Sequence, residues 1–238
     1  NRTALVLGGA SGIGEACSTL LAERGWKVAV ADIAGKQAME LAAELGGTGH
    51  QVDIADASSV TRLIEEVESG TGPIEAAVVT AAVVQPIPYR PEEFPQDEWD
   101  RILDIDLRGA YLACAAIARV MLPRRRGSIV TFGSMAAHRS MPLHSYGPAK
   151  AGVAMMTQNL AAEWGPAGIR INCISPGLTL TRALKQAVVE GTRKIDAIAA
   201  STALGRLVEP PETARAVAFL VSDRASATTG TILPVDAG

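Results

Sequence analysis

The stretch Ala4-Leu5-Val6-Leu7-Gly8-Gly9-Ala10-Ser11-Gly12-Ile13-Gly14 decides how this chain folds. Four apolar residues read as a short buried strand, and glycines follow at once. Ile13, Ala16, Cys17, Leu20 and Leu21 then recur along one helix face, and Val28–Ala31 reads as a second strand. Strand, glycine-rich turn, helix and strand make a βαβ unit. In that setting the glycines permit a sharp turn and let a pyrophosphate approach the helix N-terminus.

The same alternation runs outward along the chain. Ala38, Leu41, Ala42 and Leu45 mark a helix, as do Val60, Leu63, Ile64 and Val67, and later Ala214, Val217, Ala218 and Val221. Further strands are predicted over His50–Val52, Ala76–Thr80, Ser128–Phe132, Arg170–Ile174 and Thr231–Val235. They are short and continuously apolar, as burial on both faces requires. The predicted fold is α/β, a Rossmann-like doubly wound parallel sheet of about seven strands with helices on both faces. Pro86–Pro95 reads as a surface loop, and one domain is expected over residues 1–238.

Composition narrows the function. The 238 residues carry a net charge of −3 and only 4% aromatics, which excludes a basic nucleic-acid surface and a base-stacking platform. The longest apolar stretch, Ala110 to Ala118, is too short to span a bilayer. The chain opens straight into a strand-like run with no signal-peptide pattern. Cys17, Cys114 and Cys173 are isolated in apolar stretches, so they read as buried thiols in a reducing, cytoplasmic protein, and no metal-ligand spacing occurs.

Asp32 closes the second strand, where a carboxylate can accept from an adenosine ribose diol and would repel a 2′-phosphate. Ser11 offers no cation for such a phosphate, so the cofactor expected is NAD. Asp53, placed at the end of the third strand, can reach the adenine edge or cap the helix near Ala57. Ile33 and Ile54, next to these acids, are assigned to the same cofactor site, as are Ser11 and Ile13 in the turn.

Tyr146 and Lys150 stand one helical turn apart at the start of a helix reaching Trp164, and Ser134 follows a strand end. A phenol is a poor base at neutral pH, but a nearby ammonium and a positively charged nicotinamide favour its phenolate. The phenolate can take a hydroxyl proton while hydride leaves the same carbon. The Ser134 hydroxyl can orient the substrate oxygen.

With these residues the chain resembles the short-chain dehydrogenase/reductases over its whole length. The family's Tyr-x-x-x-Lys falls on Tyr146 and Lys150, its serine on Ser134, and its glycine motif on Gly8, Gly12 and Gly14. The Asn-x-x-x-Pro-Gly segment reads Asn172 to Gly177. The resemblance implies that Pro176 and Gly177 lie beside the nicotinamide, that Thr181, or else Thr179, holds its carboxamide, and that Lys150 binds its ribose. It also implies that Thr80, Ala81 and Ala82 pack against the cofactor, although this chain has Val79-Thr80-Ala81-Ala82 where Asn-Asn-Ala-Gly is usual. Asp106 stands where the family has asparagine, which helps to hold a water near the lysine. A carboxylate there is expected to offset the pull of Lys150 on Tyr146. The resemblance further implies a homotetramer.

Residues 178–206 are mostly apolar and suit a lid over the substrate or a fixed helix pair. His138, Arg139, Met141, Pro142, Leu143 and His144 join Ser134 to Tyr146 and are candidates to line the pocket. Gly133 is expected to leave open space near the reacting carbon. The leading reading is an NAD(H)-dependent oxidoreductase acting on a neutral secondary alcohol or ketone. The alternatives are an NADPH ketoreductase acting on acyl thioesters and a non-catalytic dinucleotide sensor. An enoyl reductase usually has a longer Tyr-to-Lys spacing than this chain.

Overall fold

The computed structural model describes residues 2–85, 89–191 and 195–238. Seven strands form one sheet in the order β3-β2-β1-β4-β5-β6-β7, and every pairing is parallel. They are β1 (Thr3–Leu7), β2 (Lys27–Asp32), β3 (Thr48–Gln51), β4 (Ile74–Val79), β5 (Gly127–Phe132), β6 (Ile169–Pro176) and β7 (Ile232–Val235). The helices between them are α1 (Gly12–Glu23), α2 (Gly35–Leu45), α3 (Ala57–Gly70), α4 (Gln96–Leu103), α5 (Ala110–Met121), α6 (Tyr146–Trp164), α7 (Arg182–Val189), α8 (Asp196–Ser201) and α9 (Pro210–Leu220).

All five residues of β1 are buried, and alternate ones feed opposite layers. Ala4 and Val6 pack with Cys17 and Leu21 of α1, Ala42 of α2 and Val217 of α9. Leu5 and Leu7 pack with Leu63 and Val67 of α3, Ile117 of α5 and Val153 of α6. Burial of such a Leu contributes roughly 1.5–3 kcal/mol. The chain winds from β1 to β2 and β3 on one side, then returns to place β4 on the other. Ligand crevices in such sheets open at this reversal, beyond the strand C-termini. Here the backbone N–H groups of Thr80 and Ala81, just past β4, both donate to the Leu7 carbonyl at the end of β1, at 2.9 and 3.1 Å.

The structure corrects several boundaries. β3 starts earlier than the pattern suggested and ends at Gln51, so Asp53 lies beyond the strand in a turn. Its Oδ1 accepts from the Ala55 N–H at 2.9 Å. The helix cap is Asp56, which accepts from the Ser58 N–H at 2.8 Å, so Asp53 is neither a strand end nor the cap. β3 is a half-buried edge strand, and its polar residues carry little periodic signal. Thr80 likewise lies one residue past β4. In the predicted loop Pro86–Pro95, residues 86–88 lie outside the described residues, and Pro91–Glu93 form a single 3-10 turn. A π-helical turn, Asp104–Gly109, joins α4 to α5 with no forewarning from periodicity. Among the described residues, no helix is long and apolar enough to cross a membrane.

Candidate active site

One wall of the crevice is the turn after β1. Gly8 has φ +75°, and a Cβ there would lie 2.5 Å from the Ala81 nitrogen. A Cβ on Gly14 would overlap the Gly8 carbonyl. Gly12 has φ +54° and faces the Thr181 methyl, 3.3 Å from where a Cβ would sit. L-residues with side chains rarely adopt these positive φ values. The glycines therefore keep a backbone-lined cradle open at the N-terminus of α1, the environment a pyrophosphate needs. The Thr80 hydroxyl donates to the Leu7 and Gly8 carbonyls and closes the cradle from the β4 side.

Asp32 points back at this turn. Its Oδ2 accepts from the Ala10 N–H at 3.1 Å and its Oδ1 from the Ala34 N–H at 3.0 Å. Each carboxylate oxygen keeps a lone pair for a further donor. Ser11 is exposed and caps nothing, and Ile33 is 63% exposed beside Asp32. Ile54 is buried in the core, so only its backbone can face a ligand. Ile13 packs on the α1 core layer.

The other wall is built from buried side chains. Tyr146 opens α6, and the Lys150 ammonium, one turn on, lies 5.5 Å from the centre of its ring. The Lys150 side chain is 4% exposed and that of Asp106 is fully buried. Lys150 Nζ and Asp106 Oδ2 are 3.3 Å apart, but Oδ2 has no aligned hydrogen bond, so their attraction is coulombic. Asp106 Oδ1 accepts from the Val83 N–H at 2.8 Å. Asp106 lies in the π-helical turn between α4 and α5, where it is fully buried. Burial pushes its carboxyl above the usual carboxylate range. The Lys150 ammonium, the Val83 N–H and the Arg101 guanidinium pull it partly back.

Ser134 follows β5 and accepts from the Ala136 N–H at 3.1 Å, which leaves its hydroxyl proton free to donate. Gly133 does not open onto empty space as expected. A Cβ there would lie 3.1 Å from Cys173 Sγ, which accepts from the Gly133 N–H at the same distance. Gly133 thus lets β5 close on β6 rather than shaping the substrate space. All three cysteines are free and buried, and burial pushes the Cys17 and Cys114 thiols up to about 12.

On the third side, Pro176 ends β6 and the Gly177 N–H donates to the Val235 carbonyl at 3.0 Å. Thr179 is buried and its hydroxyl donates to the Gly177 carbonyl, whereas Thr181 caps α7 by accepting from the Leu184 N–H. The structure thus turns the Thr181 methyl toward Gly12 and commits Thr179 to the chain's own backbone. Segment 178–206 is tethered at both ends. Leu180 donates to the Val208 carbonyl, and Ala203 and Leu204 donate to the carbonyls of Gly238 and Ala237. Between these tethers Val189 and Ile198 are exposed, and residues 192–194 lie outside the described residues.

Of the pocket candidates, His138, Arg139, Met141 and Pro142 are exposed, Leu143 is buried, and His144 stands edge-on to Phe94 with ring centres 6.5 Å apart. Sequence reasoning missed Gln85, which is buried and bonded to the segment just before Tyr146. Polar and isolated in the sequence, it matched no motif. Its position past β4, at the reversal point, was the available signal.

A family model described as Enoyl-(Acyl carrier protein) reductase matches residues 8–238. The chain is 38% identical to D-threitol dehydrogenase of Mycolicibacterium smegmatis, covering 100% of this chain and 92% of that one. A solved structure described as a short chain dehydrogenase/reductase family protein aligns at 33% identity and TM-score 0.88, covering 100% of this chain and 97% of that one. A further structure, described as ribose-5-phosphate isomerase from Brucella melitensis 16M, aligns at 48% identity and TM-score 0.94, with 100% and 92% covered.

Proposed function

The chain belongs to the short-chain dehydrogenase/reductase family, and from that premise we propose that it is an NAD(H)-dependent oxidoreductase interconverting a neutral secondary alcohol and its ketone, with Tyr146 as the acid/base. The observation that carries this reading is the buried Lys150 ammonium against the Tyr146 ring, in a chain whose glycine-lined turn follows β1. In alcohol oxidation the Tyr146 phenolate takes the hydroxyl proton, and in ketone reduction the phenol returns it. The Lys150 ammonium holds the phenolate by charge, and the Ser134 hydroxyl donates to the substrate oxygen. When bound, the nicotinamide accepts or supplies the hydride at the carbinol carbon.

Gly8, Ser11, Gly12, Ile13 and Gly14 would hold the pyrophosphate, while Asp32 and Ile33 would take the adenosine ribose. Asp53 and the Ile54 backbone would flank the adenine, and Thr80, Ala81 and Ala82 would support the nicotinamide side. Lys150 would bind the nicotinamide ribose, with Pro176, Gly177, Thr179 and Thr181 near the carboxamide. Among the described residues the Asp32 carboxylate is held by backbone N–H groups and by no cation, which favours a free ribose diol over a 2′-phosphate. The free, buried thiols support a cytoplasmic setting. The exposed Tyr111 and Met155, on α5 and α6, support assembly into a homotetramer. Tyr146 stands one turn from Lys150, which supports carbonyl chemistry rather than the enoyl reduction in the family model's description.

The test is NADH and NADPH titration by nucleotide fluorescence, together with turnover of cyclohexanol and threitol. NADH should bind at least about fivefold tighter, one like-charge repulsion being worth about 1–4 kcal/mol. Equal affinities overturn the cofactor assignment. Binding without turnover of any alcohol or ketone favours a dinucleotide sensor. The 48% identity to the protein described as an isomerase favours a second reading, aldose–ketose isomerisation of a sugar phosphate. In that case ribose 5-phosphate would be converted without added nucleotide, and the glycine cradle would have no role.

A further inference from the structure

Gln85 is polar, uncharged and only 2% exposed, and it lies beyond β4 with no place in the chemistry described above. Its Oε1 accepts twice from Ser145, from the backbone N–H at 3.0 Å and from the hydroxyl at 3.2 Å. Its Nε2 donates to the Pro142 carbonyl at 3.3 Å. One side chain thus holds both ends of the turn from Pro142 to Ser145, and the next residue is Tyr146. A serine preceding a helix ordinarily caps it by accepting from an early N–H. The Ser145 side chain makes no such cap: its backbone is helical rather than extended, and its hydroxyl donates to Gln85 instead. The first turn of α6 is also tied back by Gly147 to the Leu143 carbonyl and Ala149 to the Ser145 carbonyl.

The segment leading to Gln85 is anchored along its length. Thr80 is bonded to Leu7 and Gly8, and the Val83 N–H is bonded to Asp106, the partner of Lys150. Residues 80–85 therefore form a strap from the glycine cradle, past the lysine's counter-ion, to the start of the tyrosine helix. We propose that Gln85 is the positioning residue of this strap, setting the Tyr146 hydroxyl against the reacting carbon. The proposal rests on the oxidoreductase reading above. Misplacement of a reacting group by about 1 Å can cost a hundredfold in rate. Removing a buried amide that holds several backbone groups at once loosens the turn those groups belong to.

Gln85→Leu keeps the bulk and removes all three bonds, whereas Ser145→Ala removes one. With cyclohexanol and NAD, Gln85→Leu should lower kcat about 10- to 100-fold and leave the NADH Kd within twofold. Carbinol-deuterated cyclohexanol should show a larger isotope effect on kcat, because the chemical step becomes slower. Ser145→Ala should lower kcat about threefold. Amide hydrogen exchange over residues 142–150 should quicken in both variants and not over residues 8–14. A purely packing role would lower the melting temperature and leave kcat and the isotope effect unchanged, which overturns the proposal. If Gln85→Leu does not fold, Ser145→Ala decides, and native kcat and exchange in that variant overturn it. If the unaltered enzyme binds NADH but turns over no alcohol, the oxidoreductase reading fails. The exchange arm then still decides, and native exchange over 142–150 in Gln85→Leu rejects the clamp.

Discussion

On the β1 side of the crevice the wall is backbone: Gly8, Gly12 and Gly14 leave no room for a Cβ or hold a positive φ, and Thr80 closes on their carbonyls. On the α6 side the wall is made of side chains withdrawn from water, with Asp106 fully buried, Gln85 at 2% and Lys150 at 3% exposed. The first wall is defined by what is absent and fails when atoms are added. The second is defined by charges and amides that need each other, and it fails when one partner is removed. On the proposed reading, variants of the first wall should chiefly weaken the cofactor and variants of the second should chiefly slow the chemistry, with Lys150 serving both.

Lys150→Met should break the second wall most severely. It keeps the length of the side chain but strands Asp106 without its counter-charge, and breaking a buried pair costs about 3–5 kcal/mol. Urea unfolding at neutral pH measures this. A loss below about 1 kcal/mol, the range of exposed pairs, would show that the pair is not effectively buried.

Gly8→Ala attacks the first wall. The added methyl meets the Ala81 nitrogen in a left-handed conformation, which should cost about 1–3 kcal/mol and weaken NADH more than it slows bound turnover. Native NADH affinity in this variant would break the division between the walls.

Asp106→Asn has a smaller, pH-dependent effect. Burial raises the native-state pKa of this carboxyl, so the folded protein holds the proton more tightly than the unfolded chain. That stability is fully present below the unfolded value and is lost as pH rises through the folded one. Asparagine does not titrate, so the stability difference should move in favour of the variant as pH rises from the ordinary carboxylate value through the raised folded one. The variant also removes one negative charge beside Lys150, so the acidic limb of the alcohol-oxidation profile should move to lower pH. Urea melts and pH–rate profiles read the two effects, and an unmoved acidic limb removes Asp106 from the account of Tyr146.

The two walls were unequally legible in the sequence. The glycine turn stood in a complete βαβ unit whose apolar spacing could only be buried on both faces, and the seven-stranded parallel sheet follows that reading. Tyr146 and Lys150 were legible because one helical turn separates them. Asp53 was misplaced because the edge strand β3 is half-buried and weakly patterned. Gly133 was misread because its contact is Cys173, forty residues away in the chain. Gln85 was invisible because a buried amide takes its meaning from partners 57 and 60 residues distant, which no local period encodes. The π-helical turn that carries Asp106 departs from the 3.6-residue period on which helix reading depends.

The central claim is that the Tyr146 hydroxyl moves the proton while hydride passes at the same carbon. Tyr146→Phe removes one oxygen and nothing else. Measured with NAD and a secondary alcohol that the unaltered enzyme oxidises, kcat should fall by about 10²–10⁴ while NADH affinity stays within twofold. Turnover at the unaltered rate would contradict the account.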